Sequence, residues 1–176
     1  KILKSIEVEY QIDKKLDNKI TRKPKLLLHA CCGPCSSYVL EYLNGFFDIT
    51  IFYYNPNIHP ETEYTRRLEE LENFLPDFTK NFENPNINLI KDDYNPEDFY
   101  NAIKIRENPE LAKEKEKGER CFRCYEFRLK KAFEYAKKND FEYFCTTLSI
   151  SPFKDAEKIN VIGELLEKSH REKNPN

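Results

Sequence analysis

The sequence predicts a Rossmann-like α/β fold: a doubly wound, mostly parallel sheet with helices on both faces. Short apolar runs alternate with longer amphipathic segments about four times along the chain, which is typical of strands joined by crossover helices. The first run is continuously apolar, as in a strand buried on both faces. With 176 residues, of which 39% are hydrophobic, the chain has the size of one domain with a sizeable core.

The first elements are predicted between residues 1 and 75. Lysine and arginine dominate the end of segment 1–25, which we interpret as a basic N-terminal arm that is solvated or contacts phosphates. Residues 25–30 read as a buried strand, and the apolar spacing of 36–43 predicts a helix. β-branched and aromatic residues predict a strand at 48–54. Leucine and tyrosine on one stripe predict a helix at 61–75.

The second half repeats the pattern of strand and helix, interrupted by one polar segment. Residues 26–168 are therefore predicted to form a single α/β catalytic domain with an inserted polar segment, followed by a frayed end. In chain order we expect a strand at 87–91, a helix at 96–105, the polar segment at 106–120, a helix at 121–139, a strand at 142–147, a helix at 154–168 and the frayed end at 169–176.

Composition excludes several classes of protein. The 13 Phe and 11 Tyr argue against a disordered chain. No apolar run approaches the roughly 18 residues of a membrane span, so we expect a cytoplasmic protein with no membrane partner. The 29 Lys and Arg against 31 Asp and Glu leave no overall basic charge. Any nucleic-acid partner must then bind a local patch.

Unusual residues follow each predicted strand. Ligands of such sheets bind beyond the carboxyl ends of the strands, so four loops are expected to meet at one edge. These loops begin at His29-Ala-Cys-Cys-Gly-Pro-Cys35, Tyr54-Asn-Pro-Asn-Ile-His59, Lys91-Asp-Asp-Tyr94 and Thr146-Thr-Leu-Ser-Ile-Ser-Pro-Phe-Lys154.

The cysteines carry the sharpest chemical signal. Structural disulfides are rare in cytosolic chains, so metal binding or redox chemistry is favoured for most of the cysteines. Cys121 and Cys124 share one helical face near a helix N-terminus, which favours thiolates. Cys145 lies within an apolar strand and is interpreted as a packed small residue. The six cysteines are Cys31, Cys32, Cys35, Cys121, Cys124 and Cys145.

Spacing alone leaves three interpretations open. Cys32-Gly-Pro-Cys35 at a strand-to-helix junction has the form of a thiol–disulfide oxidoreductase motif. Two separated pairs of cysteines are also compatible with a structural zinc site. Thiolates at the edge where ligands bind are compatible with an iron–sulfur cluster.

Several motifs, in order along the chain, resemble those of the QueH family, the cobalamin-independent epoxyqueuosine reductases of tRNA modification. The matches extend from about residue 26 to residue 165. They comprise His29-Ala-Cys-Cys-Gly-Pro-Cys-Ser-Ser37, Tyr54-Asn-Pro-Asn-Ile58, Glu63-Tyr64 with Arg67, Gly118 with Arg120-Cys-Phe-Arg-Cys124, Arg128-Leu129, Thr146-Thr-Leu148 and Ser151-Pro-Phe-Lys154.

The resemblance implies reductive removal of the epoxide oxygen of epoxyqueuosine at the wobble position of tRNA. It implies a 4Fe-4S cluster whose ligands are Cys31, Cys32, Cys121 and Cys124. Cys35 is then a neighbouring thiol, either a proton donor or a ligand of a second iron, with Asp93 or Asp92 as a partner of that metal. No dinucleotide motif follows the first strand, so an external donor of the ferredoxin or flavodoxin type is expected.

Residues at the other loops are expected to bind the tRNA. Tyr54 and Tyr64 would stack on an unpaired anticodon base, and amides and cations would contact base edges and phosphates. The polar set is Asn55, Asn57, Arg67, Arg120, Arg128, Thr147 and Lys154. The alternatives are a zinc or iron–sulfur protein that binds RNA or nucleotides without catalysis, and a thiol–disulfide oxidoreductase that uses Cys32 and Cys35.

Overall fold

A computed structural model describes residues 22–82 and 85–173, and in them four strands form one parallel sheet. The strands are β1 (Lys25–His29), β2 (Asp48–Tyr53), β3 (Ile87–Lys91) and β4 (Tyr143–Thr146). Their order in the sheet is β3-β2-β1-β4, and all three pairings are parallel. The predicted α/β class is confirmed, and β1 occupies an inner position with neighbours on both sides.

Helices connect the strands, as the alternation in the sequence predicts. In the described residues they are α1 (Gly33–Leu43), α2 (Glu61–Thr79), α3 (Pro96–Ile103), α4 (Glu119–Lys138) and α5 (Ala156–Lys173). Two short 3-10 turns, at Pro109–Lys113 and Thr147–Ile150, complete the connections. Among the described residues, no helix is both long and apolar enough to cross a membrane.

Both faces of the sheet are covered, which explains the continuous apolar run of β1. Leu26 and Leu28 point to one face and pack with Leu40 of α1 and Leu71 of α2. Leu27, one residue out of phase, packs on the other face against α4. Alternate residues of one strand thus enter two different cores, as in doubly wound sheets.

Helix α2 is longer than the sequence predicts. The apolar stripe predicts a helix that ends at Leu75, and the next residue, Pro76, removes one backbone hydrogen bond from a helix that continues through it. Instead α2 passes through Pro76 and ends at Thr79. Phe78, beyond the proline, packs against the same core as Leu75. Tertiary packing of this apolar face outweighs the local cost of Pro76.

The C-terminal end also differs from the prediction. Helix α5 continues to Lys173, so residues 169–173 are helical rather than frayed. His170, Arg171 and Lys173 lie in its last turn, where positive charge is favourable beside the unpaired helix carbonyls. Residues 174–176 and most of the predicted basic arm lie outside the described residues.

We expect Leu28→Ala to lower the free energy of unfolding by about 2–5 kcal/mol, because Leu28 is fully buried and its loss leaves a cavity in the core. Leu165→Ala is a matched control, since Leu165 is 58% exposed on α5; its effect should stay within about 0.5 kcal/mol. Urea denaturation followed by circular dichroism measures both. Equal losses would contradict the placement of Leu28 in the core.

Candidate metal centre and active site

The loop between β1 and α1 brings three thiols together. The Sγ atoms of Cys31, Cys32 and Cys35 all lie within 4.8 Å of one another, and those of Cys31 and Cys32 are 3.9 Å apart. Two thiolates bound to one tetrahedral ion at about 2.3 Å stand about 3.8 Å apart. These three residues, hereafter the three-thiol group, could therefore hold a metal.

The start of α1 explains how adjacent cysteines face one point. Cys32 is extended and directly precedes the helix, and Pro34 occupies the first helical turn, where its missing N–H costs nothing. The Ser36 hydroxyl donates to the Cys32 carbonyl at 2.8 Å. Cys31 and Cys32 both lie in the connection between the end of β1 at His29 and the start of α1 at Gly33, so their sulfurs are not held on opposite faces as they would be along a strand.

A hydrogen bond inside the three-thiol group separates the acidities of its members. The Cys31 thiol donates to Cys32, which lowers the pKa of Cys32. The same hydrogen bond, together with burial, raises the pKa of Cys31. The guanidinium groups of Arg128 and Arg67 oppose this rise in the pKa of Cys31, because nearby positive charge favours a thiolate.

Cys121 and Cys124 lie in the first turns of α4. Cys121 is buried in an apolar cluster against which Cys31 packs, so the two cysteine segments meet in space. Among the described residues, however, no group of three or more potential ligand atoms within 4.8 Å of one another includes Cys121 or Cys124. Cys124 is half-buried, and removal of its thiol from water raises the pKa of that thiol. The four-thiolate ligand set implied by the resemblance therefore stays a prediction.

Arg128 connects both cysteine segments with β2. It is 3% exposed, donates to the Asn55 side-chain oxygen, and lies 4.0 Å from the Cys124 sulfur through Nη1. Asn55 in turn donates to the Ala30 carbonyl at 2.9 Å, directly before the three-thiol group. Within the described residues Arg128 has no carboxylate partner, and its Nε lacks a hydrogen bond.

His29 lies at the end of β1 with both ring nitrogens occupied. Nε2 lies 3.2 Å from the Tyr54 carbonyl, which can only accept, so Nε2 carries the proton. Nδ1 then accepts from the Thr146 hydroxyl at 2.9 Å. Burial and, after it, the charge of Arg128 hold the pKa of His29 well below its ordinary value. His29 is therefore a neutral residue that links β1 to its two neighbours.

The polar segment 106–120 is bound to the site. Lys154 contacts Glu116 at 3.1 Å, and the Glu116 carboxylate accepts from the Cys121 thiol at 3.5 Å. Arg120 donates to the Ala112 carbonyl at 3.2 Å and to that of Glu114 at 3.3 Å. In the described structure, Arg120 and Lys154 thus contact protein groups, and their phosphate contacts stay predictions.

Two of the predicted substrate contacts carry unpaired buried atoms. The Thr147 hydroxyl follows β4, next to the end of β1 in the sheet, and the Asn57 side-chain oxygen lies in the loop after β2. Neither atom has a hydrogen-bond partner among the described residues. Buried polar atoms are seldom left unpaired, so both are suited to binding a ligand.

The two predicted stacking rings are buried in protein contacts. Tyr54 is 4% exposed and contacts the rings of Phe52 and Phe127. Tyr64 is 7% exposed and stacks on Tyr94 with ring centroids 4.1 Å apart. The sequence predicts that both tyrosines lie near the site. In the folded chain other aromatic rings pack against them, so neither ring has an exposed face on which a base could stack. Their predicted stacking role is unsupported.

The predicted acidic partner is not joined to the thiols. Asp93 is exposed and follows β3, the outer strand beyond β2. Asp92 pairs with Lys131 at 3.1 Å. Among the described residues, no carboxylate belongs to the three-thiol group at ligand distance. A metal-binding role of Asp93 remains a prediction. Arg67, by contrast, pairs with Glu63 at 2.7 Å and acts electrostatically on Cys31.

Sequence reasoning missed Glu116 and Glu114. Glu114 accepts from the Arg120 amide at 2.8 Å and so satisfies the N-terminus of α4. A Cβ at Gly118 would lie 2.7 Å from this carboxylate, so a larger residue there would push the Glu114 side chain away from the helix N-terminus. In a run of alternating lysine and glutamate, no spacing distinguishes these two residues from solvated ones.

Comparison with known proteins places these residues in a family. A family model described as epoxyqueuosine reductase QueH matches residues 26–174. Proteins of that name are 42% identical over 141 residues in Staphylococcus aureus (80% of this chain and 57% of the relative) and 38% identical over 149 residues in Streptococcus pyogenes (85% and 56%). The chain thus spans somewhat more than half the length of these relatives.

A third relative of the same name, from Acinetobacter baylyi, is 43% identical over 140 residues, which are 79% of this chain and 59% of the relative. The matched region contains the three-thiol group, Arg128 and the cysteines of α4. The resemblance inferred from the sequence motifs is confirmed. The chain belongs to the QueH family.

Proposed function

We propose that this chain carries the active site of an epoxyqueuosine reductase acting on tRNA. The observation that carries the proposal is the three-thiol group at the end of β1, within 4.8 Å, in a chain of the QueH family. Cys121 of α4 packs beside Cys31 in the same cluster. A redox reaction requires a centre that takes up electrons, and clustered thiols are suited to hold one.

The residues present fit an iron–sulfur cluster. We assign its ligands as Cys31, Cys32, Cys121 and Cys124, because iron–sulfur clusters are held by thiolates. A cluster holds each thiolate on a different iron, so its sulfurs need not lie within the limit set by a single ion. Arg128 offers a buried positive charge to balance the thiolates. When bound, the cluster supplies electrons one at a time.

The reaction removes the epoxide oxygen as water, consuming two electrons and two protons and leaving a carbon–carbon double bond. The chain must bind the ring, exclude water and deliver protons. The unpaired Thr147 hydroxyl is suited to donate a hydrogen bond to the substrate or accept one from it, and the Asn57 side-chain oxygen is suited to accept one. Cys35 is our candidate for the proton donor or for a ligand of a second iron, with Asp93 as the acidic partner.

Electrons and substrate come from outside the chain in this proposal. The sequence contains no dinucleotide motif, so we infer a ferredoxin or flavodoxin as the donor. The RNA partner is a tRNA bearing epoxyqueuosine at the wobble position, where bases are unpaired and readable. Such a reaction belongs in the cytoplasm, where tRNA and reduced carriers are found.

A zinc protein that binds RNA without catalysis is the second candidate. One observation favours it: the separation of 3.9 Å between the sulfurs of Cys31 and Cys32 suits a single tetrahedral zinc ion. Zinc has no redox chemistry and would leave the reductase without an electron carrier. Metal analysis separates the two candidates.

We expect protein purified without oxygen to be brown, with iron bound and absorbance near about 400 nm. Cys121→Ala and Cys124→Ala should abolish the colour and at least 90% of the turnover (roughly the tenfold or larger loss expected when a metal site is broken). Cys145→Ala is the control, because Cys145 packs against the core and takes no part in ligation. A colourless protein loaded with zinc would support the second candidate instead.

Cells that lack this protein should accumulate tRNA bearing the epoxide precursor in place of queuosine. Nucleoside analysis of their tRNA by mass spectrometry measures both compounds, and expression of the wild-type protein should restore queuosine. Unchanged queuosine in the deletion strain would contradict the proposed activity.

Arg128→Gln should reduce metal affinity about 10- to 100-fold, the usual loss when a group that supports metal ligands is removed. The change deletes a buried charge and its contacts with Asn55 and Cys124. Arg66→Gln is the control, because Arg66 forms exposed ion pairs on α2 that contribute little. Competition with a chelator gives the affinities, and equal values for both variants would contradict this role.

A further inference from the structure

Phe153 is the most exposed large apolar side chain in the described residues. Its exposed fraction is 69%, and Ile150, three residues earlier in the same loop, is 47% exposed. Phenylalanine is usually among the most buried residue types. The loop that follows β4 thus presents two apolar side chains to solvent at the edge of the sheet where ligands bind.

The backbone holds Phe153 at the tip of a tight turn. The amide of Lys154 donates to the Ser151 carbonyl at 3.1 Å, so the four residues from Ser151 form a β-turn with Pro152 and Phe153 in its centre. The turn is fixed on the side of Ser151 by the bond from its amide to the Leu148 carbonyl at 3.2 Å. These two backbone hydrogen bonds fix the position of Phe153.

The other side of the turn connects Phe153 to the thiols. Lys154 contacts Glu116 at 3.1 Å, and Glu116 accepts from the Cys121 thiol at 3.5 Å. Exposed lysines Lys115 and Lys117 flank Glu116 in the segment that faces the turn. The turn that carries Phe153 and the lysines of the facing segment are thus connected, through Lys154 and Glu116, to Cys121, a candidate ligand of the redox centre.

We propose that Phe153 is the stacking platform for an unpaired nucleobase of the RNA substrate. This inference rests on the proposed function and assigns the role that the buried rings of Tyr54 and Tyr64 do not fill. Aromatic side chains on RNA-binding surfaces stack on splayed bases and need one free ring face. Protein partners need about 800 Å² per side, far more than Phe153 and Ile150 present together.

The test measures binding of an anticodon stem-loop. We expect Phe153→Ala to weaken binding about 5- to 100-fold, the usual effect of removing one stacked ring. Leu165→Ala is the matched control, because it shortens a side chain of similar exposure, 58%, on α5. Phe153→Tyr should bind within about twofold of wild type, since it keeps the ring.

A second variant detects stacking directly. The chain contains no tryptophan, so Phe153→Trp introduces a single indole. We expect its fluorescence to be quenched when the stem-loop binds, and tryptophan placed at Leu165 to stay unquenched. Quenching at Phe153→Trp with weaker binding of Phe153→Ala supports the proposal.

The outcomes separate this inference from the proposed function. If wild-type protein converts epoxyqueuosine in tRNA and Phe153→Ala binds as tightly as wild type, the stacking role is wrong and the function stands. If wild-type protein neither binds nor converts the RNA, the proposed function fails and the stacking role fails with it. A change of oligomeric state in Phe153→Ala with unchanged RNA binding would assign the ring to a protein interface and overturn the proposal.

Discussion

The charge of one buried guanidinium constrains the whole site. Removing a charged group from water costs several kcal/mol unless opposite charge or good hydrogen bonds replace the solvent. Arg128 has one neutral amide partner in Asn55 and one sulfur partner in Cys124, and no carboxylate within the described residues. Thiolates are then the anions that can balance it. Arg128 favours the thiolate forms of Cys31 and Cys124 and so opposes the burial that raises the pKa of both thiols.

The topology of the sheet brings these groups to one edge although they are far apart in the sequence. In parallel strands with crossover helices, strand C-termini and helix N-termini lie at the same edge. The three-thiol group follows β1, Asn55 follows β2, Thr147 follows β4, and Cys121 opens α4. Because β1 lies between β2 and β4, its loop is at the centre of this arrangement. The sheet and its connections are therefore sufficient to bring the thiols together.

Local patterns predicted the strands and the cysteine loop well because continuous apolar runs and short motifs carry that information. They could not predict contacts that depend on tertiary packing. Tyr54 and Tyr64 are aromatic and so could stack on a base, but Phe127 and Tyr94, from distant segments, pack against their rings and bury them.

Glu116 lies in a run of alternating lysine and glutamate, and only its contact with Lys154 in the folded chain distinguishes it from its neighbours. The end of α2 was predicted wrongly for the same reason: Phe78 packs on the core, and the helix continues through Pro76.

The number of sulfurs distinguishes metal chemistry from thiol–disulfide exchange. Exchange needs one attacking thiolate and one resolving thiol, and Cys32 and Cys35 have the right spacing. Yet Cys32 owes its lowered pKa chiefly to the hydrogen bond from Cys31, and Cys31 itself packs into the cluster that contains Cys121. Exchange gives no task to Cys121 or to the buried charge of Arg128. The metal centre proposed above would use both of them and Cys31 as well.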